Sequence, residues 1–222
     1  MSESGPGPTT VDRLRGLDAA TVHDAAGRTG QLAPRIRPVL PGVTLAGRVT
    51  TAACRPGDNL AAHRAVAAAN DGDVLVVTAD GDLAGYWGEV LTVAAQARGI
   101  AGLVLDGGCR DTAALRRRGF PVWAAGVTVA GTVHVLPGLV NEPVLAGGVV
   151  VHPGDFVIAD DDGVVVVPAA RIDEVLDAAT ARAAREQRLL RGLVAGATTI
   201  ELLGLLRVEA DTAGGPAGSD AG

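Results

Sequence analysis

Patterns typical of buried strands alternate with helical patterns through the first half of the chain. Asp73–Thr78 and Ala101–Leu105 contain continuous aliphatic runs, and Pro121–Ala124 is a third, shorter run. Between them, Gly88–Arg98 and Asp111–Arg118 place apolar residues at helical spacing. This β-α-β-α-β series predicts parallel strands joined by right-handed crossovers.

The segments before this series predict further elements. Val11–Arg28 has a helical pattern, with Asp18 and Thr21 as alternative N-caps. Thr44–Ala53 alternates between polar and apolar residues and predicts a strand.

Three segments with glycine are predicted to be turns or loops. Pro56-Gly57-Asp58-Asn59 forms a turn, and Asn59 can cap the alanine-rich helix that follows. Ala79–Gly85 is predicted to be a loop, and Asp106-Gly107-Gly108 a turn after the second buried strand.

The second half has short β runs followed by helices. The β runs are Gly148–Val151, Asp155–Ala159 and Gly163–Val167, and they predict an antiparallel meander or hairpins. A long helix is predicted from Ala169 to about Leu193, and a short one over Thr198–Leu206. The fold class is therefore α/β, a single domain with mixed sheets and a long C-terminal helix.

The two ends of the chain differ from the rest in composition. Residues 1–10 and 209–222 are rich in small and polar residues, so we expect disordered tails around one domain spanning 11–208. The N-terminus lacks the basic and apolar regions of a signal peptide, and no run of about 18 apolar residues is present. We therefore expect a cytoplasmic protein that does not bind membranes.

Composition excludes several classes of function. The chain contains no lysine, so imine chemistry on a lysine amine is excluded. Serine occurs only at Ser2, Ser4 and Ser219, which excludes a hydrolase nucleophile in the body of the domain. A net charge of -6 and only 2% aromatic residues argue against nucleic-acid binding. The single basic run, Arg116-Arg117-Arg118, is interpreted as a solvated helix face.

The cysteines and histidines point to no metal cluster. Cys54 and Cys109 are too few for a disulfide scaffold or a four-cysteine zinc site, so we expect two reduced, buried thiols. No histidine has a partner at metal-ligand spacing, and the roles of the four are left open: His23, His63, His134 and His152.

Two strand-to-helix loops carry the residues with the most distinctive chemistry. They are Gly85-Tyr86-Trp87-Gly88-Glu89 and Gly107-Gly108-Cys109-Arg110-Asp111. Loops of this kind meet at the carboxyl ends of parallel strands, where ligands bind. Arg110 can grip a carboxylate, while Glu89 and Asp111 offer hard oxygen ligands that suit Mg²⁺ or Mn²⁺. The alternative is structural: Asp111 caps its helix and Arg110 pairs with a surface acid.

The spacing between these loops resembles a family motif. Gly88-Glu89, twenty residues and then Arg110-Asp111 is similar to the acid-x20-Arg-Asp motif of metal-dependent pyruvate aldolases in the RraA-like family. Further similar segments run through residues 12–206, among them Pro56–Asn59, Gly72–Val77 and Pro153–Asp155. The resemblance implies a swivelling α/β/β domain that forms trimers or dimers of trimers, with the site at a subunit boundary.

The resemblance also implies a metal centre and a substrate site. Asp111 would ligate the divalent metal directly, and Glu89 would hold a metal-bound water. Glu186, from a neighbouring subunit, would reach the same waters, unless it is only part of a solvated helix face. Arg110 would bind the keto acid and stabilise an enolate. The substrate carboxylate would be held by backbone amides near Gly88, Val90 and Leu91.

The activity implied is carbon–carbon cleavage. A 4-hydroxy-2-keto acid would lose its C3–C4 bond and release pyruvate through an enolate, and oxaloacetate decarboxylation would accompany it. Two alternatives remain: a protein-binding regulator like the ribonuclease E inhibitors of this fold, and a methyltransferase, for which no nucleoside-binding loop is found.

The sequence departs from the family pattern in two places. Cys109 stands where an aliphatic residue is more usual, and it is expected to be a small packed side chain. Gly126–Val140 is unlike the corresponding stretch of the aldolases and is expected to shape the substrate pocket.

Overall fold

The computed structural model describes residues 9–205. The helices of this part are α1 Thr10–Arg15, α2 Ala19–Ala25, α3 Leu60–Ala68, α4 Glu89–Gln96, α5 Thr112–Arg118, α6 Ile172–Val194 and α7 Thr199–Leu203. A 3₁₀ turn at Ala169–Arg171 leads into α6. None of these helices is long and apolar enough to span a bilayer.

Eleven strands lie in the described residues. They are β1 Arg37–Pro38, β2 Leu45–Ala53, β3 Val74–Thr78, β4 Gly85–Trp87, β5 Gly102–Cys109, β6 Val122–Val127, β7 Leu139–Val140, β8 Val144–Ala146, β9 Val149–Val151, β10 Phe156–Ala159 and β11 Val164–Val167. The main sheet has the order β1-β6-β5-β3-β2-β10-β11, with β4 on β5 and β7 on β2. Strands β2, β3, β5 and β6 are mutually parallel, which confirms the predicted series.

Alternate residues of the central strands face two different cores. On β3, Leu75 and Val77 pack with helices α3, α4 and α5, whereas Val74 and Val76 pack with residues of β8 to β11. Both faces of the strand are therefore buried, which is why its sequence reads as a continuous aliphatic run. The result is a helical layer on one side of the sheet and a β layer on the other.

A third core lies on the outer face of the β10–β11 hairpin. Ile158 and Val165 of the hairpin pack with Leu14 of α1, Val22 of α2 and Leu176 of α6. The antiparallel hairpin and the long helix confirm the predicted α/β class with mixed sheets. By compactness the chain divides between Thr180 and Ala181, within α6, so the last part of that helix belongs to a second small unit.

The helix predicted over Val11–Arg28 is two helices instead of one. Gly16 is the C-cap of α1, and its amide bonds back to the carbonyls of Asp12 and Arg13. Asp18 is the N-cap of α2, with its Oδ1 accepting from the Thr21 amide at 2.6 Å. Both caps provide hydrogen bonds to backbone groups that are unpaired at a helix end, and a continuous helix would have no such ends here. Gly16 and Asp18 therefore favour a break between α1 and α2.

The turn predicted at Asp106-Gly107-Gly108 is wrong, because β5 runs straight through it. The glycines serve close packing: a Cβ at Gly108 would overlap the Leu83 carbonyl, and one at Gly107 would lie 2.9 Å from the Ala79 Cβ. The loop predicted over Ala79–Gly85 therefore crosses directly over β5. It continues into β4, a three-residue strand that the sequence pattern did not reveal.

Candidate active site

The parallel pairing of β4 with β5 brings the two chemistry-bearing loops together. Gly85 pairs with Gly108 and Trp87 with Cys109, and the Arg110 amide donates to the Trp87 carbonyl at 2.9 Å. The chain after β4 enters α4, and the chain after β5 enters α5. Glu89 and Asp111 therefore lie side by side at the carboxyl ends of neighbouring strands, as the sequence predicts.

Asp111 occupies an unusual backbone conformation at the entrance to α5. Its φ and ψ are 56° and 31°, in the left-handed region that Asp and Asn enter more readily than other side chains. Asp111 makes no side-chain cap of its own helix; instead its Oδ2 accepts from the Glu89 amide at 3.0 Å. The alternative that Asp111 is a helix cap is thus not what the structure shows.

Gly88 allows this contact. A Cβ at Gly88 would overlap the Asp111 carboxylate and would lie 3.2 Å from Cγ of Arg110. Gly88 is also the N-cap of α4, which has no side-chain cap. The amides of Val90 and Leu91, in the first helical turn, therefore have no capping side chain and suit a bound carboxylate.

Arg110 lies beside Asp111 and is half-exposed. Its Nε is 3.9 Å from Asp111 Oδ2, and its stem packs on Gly85, where a Cβ would lie 3.2 Å from Arg110 Cδ. Arg110 thus rests on backbone that lacks side chains and is next to Asp111, not next to a separate surface acid. Its planar donor group is free to bind a substrate oxygen from the adjoining space.

Two clefts adjoin this pair. A cavity of about 200 Å³ is lined by Gly88, Leu91, Arg110 and Asp111 on one side. A wider, open cleft of about 760 Å³ is lined by Glu89, Arg110, Asp111 and residues 127–129. Arg110 and Asp111 border both spaces, so a ligand in either can touch them.

The far wall of the smaller cavity comes from the α3 entrance and from the unusual stretch Gly126–Val140. It is formed by Asn59, His63, Thr132 and His134. The rings of His63 and His134 lie 6.0 Å apart. The stretch therefore lines the cavity, and its expected role in shaping a substrate pocket stays a prediction.

Backbone bonds and one buried acid attach this stretch to the α3 entrance. The Asn59 amide donates to the Val133 carbonyl at 2.9 Å, and Asp58 Oδ2 accepts from the amides of Val135 and Leu136 at 2.6 and 2.7 Å. Burial alone would raise the pKa of Asp58. The hydrogen bonds from Leu60, Leu136 and Val135 outweigh that effect and hold its pKa below the usual range.

Burial and the neighbouring His134 lower the pKa of His63. The neutral form of His63 is therefore favoured inside this wall. A neutral imidazole offers one donor and one acceptor to a ligand.

The Glu89 carboxylate is held by an arginine of the basic run. Arg118 donates to Glu89 Oε1 from Nε at 2.9 Å and from Nη2 at 2.8 Å. Arg116 Nε also donates to the Val39 carbonyl at 3.1 Å. All three arginines of the run are exposed on α5, in agreement with its interpretation as a solvated helix face, and Arg116 and Arg118 make these hydrogen bonds in addition.

Glu186 lies in the second compact unit. It is exposed on the C-terminal part of α6 and borders a groove with Arg182, Arg185 and Leu203. Its predicted action in a neighbouring subunit stays a prediction.

The donor set around Asp111 suits a hard cation with a water shell. The described residues contain no cluster of three or more His, Cys, Asp or Glu side chains arranged to hold a metal. Mg²⁺ typically binds proteins through one or two carboxylates and keeps several waters. One half-exposed carboxylate at the edge of two clefts fits that mode, whereas a closed zinc-type site would need more ligands.

Other candidate residues lie elsewhere. Cys54 and Cys109 are free and buried, as expected, and burial raises the pKa of the Cys109 thiol to about 11. Such a thiol is a packed side chain and a poor nucleophile. His23 Nδ1 lies 3.3 Å from the Thr29 carbonyl, and neither His23 nor His152 lines the two clefts.

Sequence reasoning missed the part of the far wall that comes from the α3 entrance. Asn59 was expected to cap α3, but its side chain makes no cap; Nδ2 donates to the Tyr86 carbonyl at 3.1 Å. The sequence signal that could have identified these two residues is the short spacing between Asn59 and His63, which places both near the start of one helix. Their pairing with Thr132 and His134 is a long-range contact with no local sequence pattern.

Comparisons with known proteins bear on the family of the chain. A protein of Halalkalibacterium halodurans provisionally named 4-hydroxy-4-methyl-2-oxoglutarate aldolase is 32% identical over 184 residues, covering 82% of this chain and 88% of its own. The crystal structure of Streptomyces coelicolor RraAS2, described as an unusual member of the RNase ES inhibitor RraA protein family, matches with a TM-score of 0.76 at 31% identity. This match covers 84% of this chain and 99% of that one.

A third similar protein is described as a different kind of enzyme. A structure from Geobacillus kaustophilus, described as S-adenosylmethionine:2-dimethylmenaquinone methyltransferase, matches with a TM-score of 0.63 at 27% identity, over 68% of this chain and 95% of that one. The family description RraA-like, Aldolase/RraA, matches residues 19–166. This match spans well over half of the chain, and the Halalkalibacterium halodurans relative is similar over most of its length. The chain therefore belongs to the RraA-like family.

Proposed function

We propose that this protein is a divalent-metal-dependent aldolase that cleaves a 4-hydroxy-2-keto acid and releases pyruvate. The observation that carries the proposal is the meeting of Arg110, Asp111 and the amides of Val90 and Leu91, in the first turn of α4, at one cavity. A carboxylate-binding helix end, a planar cation and a metal-binding carboxylate are what a 2-keto acid requires. The aldolase name of the 32% identical relative supports this class of reaction.

Each residue has a separate task in the proposed reaction. The amides of Val90 and Leu91 bind the substrate carboxylate at the helix N-terminus. Arg110 donates to the substrate oxygen on which negative charge develops, and this stabilises the transition state more than the ground state. Asp111 would hold Mg²⁺ or Mn²⁺, which would act as a Lewis acid toward the 2-keto group.

The bond changes balance without any redox partner. The C4 hydroxyl would pass its proton to a water held by Glu89 and become a carbonyl as the C3–C4 bond breaks, and the bonding electrons would pass into the pyruvate enolate. Protonation at C3 then gives pyruvate. Oxaloacetate yields the same enolate when it loses CO₂, so we propose decarboxylase activity as well.

Two acidic residues complete the proposal. Glu89 and, from a neighbouring subunit, Glu186 would bind water around the metal. In the structure the Glu89 carboxylate pairs with Arg118, and Glu89 lines the same open cleft as Asp111.

The regulator alternative predicts different behaviour. A protein-binding relative of the RraA type needs neither a metal nor a keto acid. Here Asp111 is an acid, and the chain holds it in a special backbone conformation beside Arg110. That arrangement favours the enzyme.

The test is a coupled pyruvate-release assay on metal-stripped protein. We expect no turnover of 4-hydroxy-2-keto acids or oxaloacetate in excess EDTA, and recovery with Mg²⁺ or Mn²⁺, because Asp111 offers a hard oxygen ligand. The Asp111→Asn variant, which keeps the backbone preference and loses the charge, should stay inactive with metal. Full activity in EDTA would contradict the metal dependence, and no pyruvate under any condition would contradict the aldolase.

A further inference from the structure

Two histidines from segments far apart in the sequence lie side by side on the far wall of the smaller cavity. His63 belongs to α3 and His134 to the stretch Gly126–Val140; both side chains are exposed, and both line the cavity. Their ring centres are 6.0 Å apart, and the ring planes are tilted by 56°. Within residues 9–205, neither imidazole makes a hydrogen bond or an ion pair with the protein, so both rings keep their nitrogens for a ligand.

Backbone hydrogen bonds fix the position of His134. The residue before it, Val133, donates from its amide to the Gly57 carbonyl at 2.9 Å. The residue after it, Val135, donates from its amide to the Asp58 carboxylate at 2.6 Å. Because His134 lies between two anchored residues, its ring is held beside the start of α3 before any ligand arrives.

The separation of the two rings is close to that of two imidazoles on one metal ion. A zinc–nitrogen bond of about 2.0–2.1 Å places each ring centre about 3.2 Å from the ion, so tetrahedral ligands have ring centres about 5 Å apart. The observed 6.0 Å is longer by only about 1 Å, which rotation about the broad final torsion of histidine can close. The described residues offer no third His, Cys, Asp or Glu side chain to the pair, so water would fill the remaining coordination positions.

Ligand type separates this pair from the carboxylate of Asp111. Imidazole nitrogen suits Zn²⁺, Cu²⁺ and Ni²⁺, whereas Mg²⁺ and Mn²⁺ prefer oxygen ligands. The Asp58 carboxylate, bonded to the residue after His134, also places a negative charge near the pair, and this charge favours a cation.

We propose that His63 and His134 together bind one transition-metal ion, such as Zn²⁺, and that this ion joins the stretch Gly126–Val140 to α3. The ion lies in the cavity that Arg110 and Asp111 border. It therefore obstructs the keto acid and inhibits the enzyme, a consequence that rests on the proposed aldolase function. The binding of the ion itself does not rest on that function.

Zinc binding to metal-stripped protein tests the site without an activity measurement. The Asp111→Asn background removes the other proposed metal ligand, and competition with a chromophoric zinc chelator reports the affinity. We expect one bound Zn²⁺ per chain in this background. Adding His63→Gln or His134→Gln should weaken the affinity at least about tenfold, since loss of a residue behind a ligand already costs about 10- to 100-fold. The control is His152→Gln, an exposed histidine outside the cavity, which should keep the affinity.

Melting temperatures provide a second readout. The two ligands lie close together only in the folded chain, so Zn²⁺ should raise the melting temperature of the Asp111→Asn protein. Mg²⁺ at the same concentration should not, because the pair offers it no oxygen ligand. Adding His63→Gln or His134→Gln should abolish the increase, while circular dichroism without metal stays that of the Asp111→Asn protein.

Two results would overturn the site: no Zn²⁺ binding in the Asp111→Asn background, or equal Zn²⁺ affinity in the His134→Gln and His152→Gln proteins. Inhibition of pyruvate release that excess Mg²⁺ does not relieve would support the obstruction, and a filled site without inhibition would contradict that consequence alone. Absence of pyruvate release by wild-type protein would instead contradict the proposed function and leave the zinc site in place.

Discussion

At the scale of single residues, close approach decides where the chemistry lies. Gly88 and Gly85 leave room that Asp111 and Arg110 fill, so two reactive side chains rest directly on backbone. Arg110 has an aliphatic stem fixed by this packing and a half-exposed head beside Asp111. Because packing already fixes the stem of Arg110, its side chain should lose little conformational entropy when it binds a substrate oxygen.

The first prediction concerns the shape of this cation. Arg110→Lys should lower kcat/KM for pyruvate release by about 10²–10³, or roughly 3–4 kcal/mol, because a lysine ammonium lacks the planar fork of donors. Charge is preserved, so the melting temperature should change little. Arg15→Lys, on the exposed surface of α1 and outside both clefts, is the control and should retain activity. A loss below tenfold would remove Arg110 from the enolate-stabilising role.

At the scale of elements, the cavity depends on one docking contact between the α3 entrance and the stretch Gly126–Val140. Asp58 is buried and accepts amide hydrogen bonds from both of these segments. These bonds lower its pKa in the folded state, so folding stabilises the ionised form.

A pH dependence follows from this shift. Because the folded pKa is below the unfolded value of about 3.8, the contribution of Asp58 is fully present above that value and is lost as pH falls through the folded pKa. The melting temperature of Asp58→Asn should therefore lie below that of wild type at pH 6–7, and the gap should narrow under acid conditions. Asp71→Asn, an exposed loop acid, serves as the control. A gap independent of pH would show that the charge of Asp58 has no such role.

Elements also show how far the sequence can be read. The side chains of residues 74–77 alternate between two buried cores, so all four are aliphatic. This strand and its parallel neighbours were therefore predictable from aliphatic runs in the sequence. The glycines of β5 were misread as a turn because their need for space comes from Leu83 and Ala79, far along the chain. The loops holding Glu89 and Asp111 were predictable from strand ends. The wall containing Asn59 and His134 was not, because it joins segments 75 residues apart.

At the scale of the whole molecule, exposed apolar side chains cluster near the open cleft. Val127, Val129, Val133, Val135 and Leu136 are all exposed, and Val129 is 97% exposed. Several exposed apolar side chains within one stretch of ten residues, 127–136, are typical of a protein–protein interface. It supports the expectation, from family resemblance, that the chain assembles as a trimer or as a hexamer.

The third prediction tests assembly. Sedimentation at micromolar concentration should give a mass that is three or six times 22.2 kDa. Val129→Glu should lower the assembly state because a charge would be buried at the interface, while the secondary structure by circular dichroism stays unchanged. A 22 kDa species for wild type would contradict the assembly, and an unchanged mass for Val129→Glu would place the interface elsewhere.

The left-handed backbone at Asp111 has a consequence for how the family can diverge. Asparagine tolerates this conformation about as well as aspartate, and the codons of the two differ by a single nucleotide. One point mutation could thus remove the charge that is proposed to bind the metal and leave the α5 entrance undisturbed. Under the proposed function, catalysis and architecture are therefore separable at this position, and the proposed aldolase lies one substitution from a folded, inactive scaffold available for binding roles.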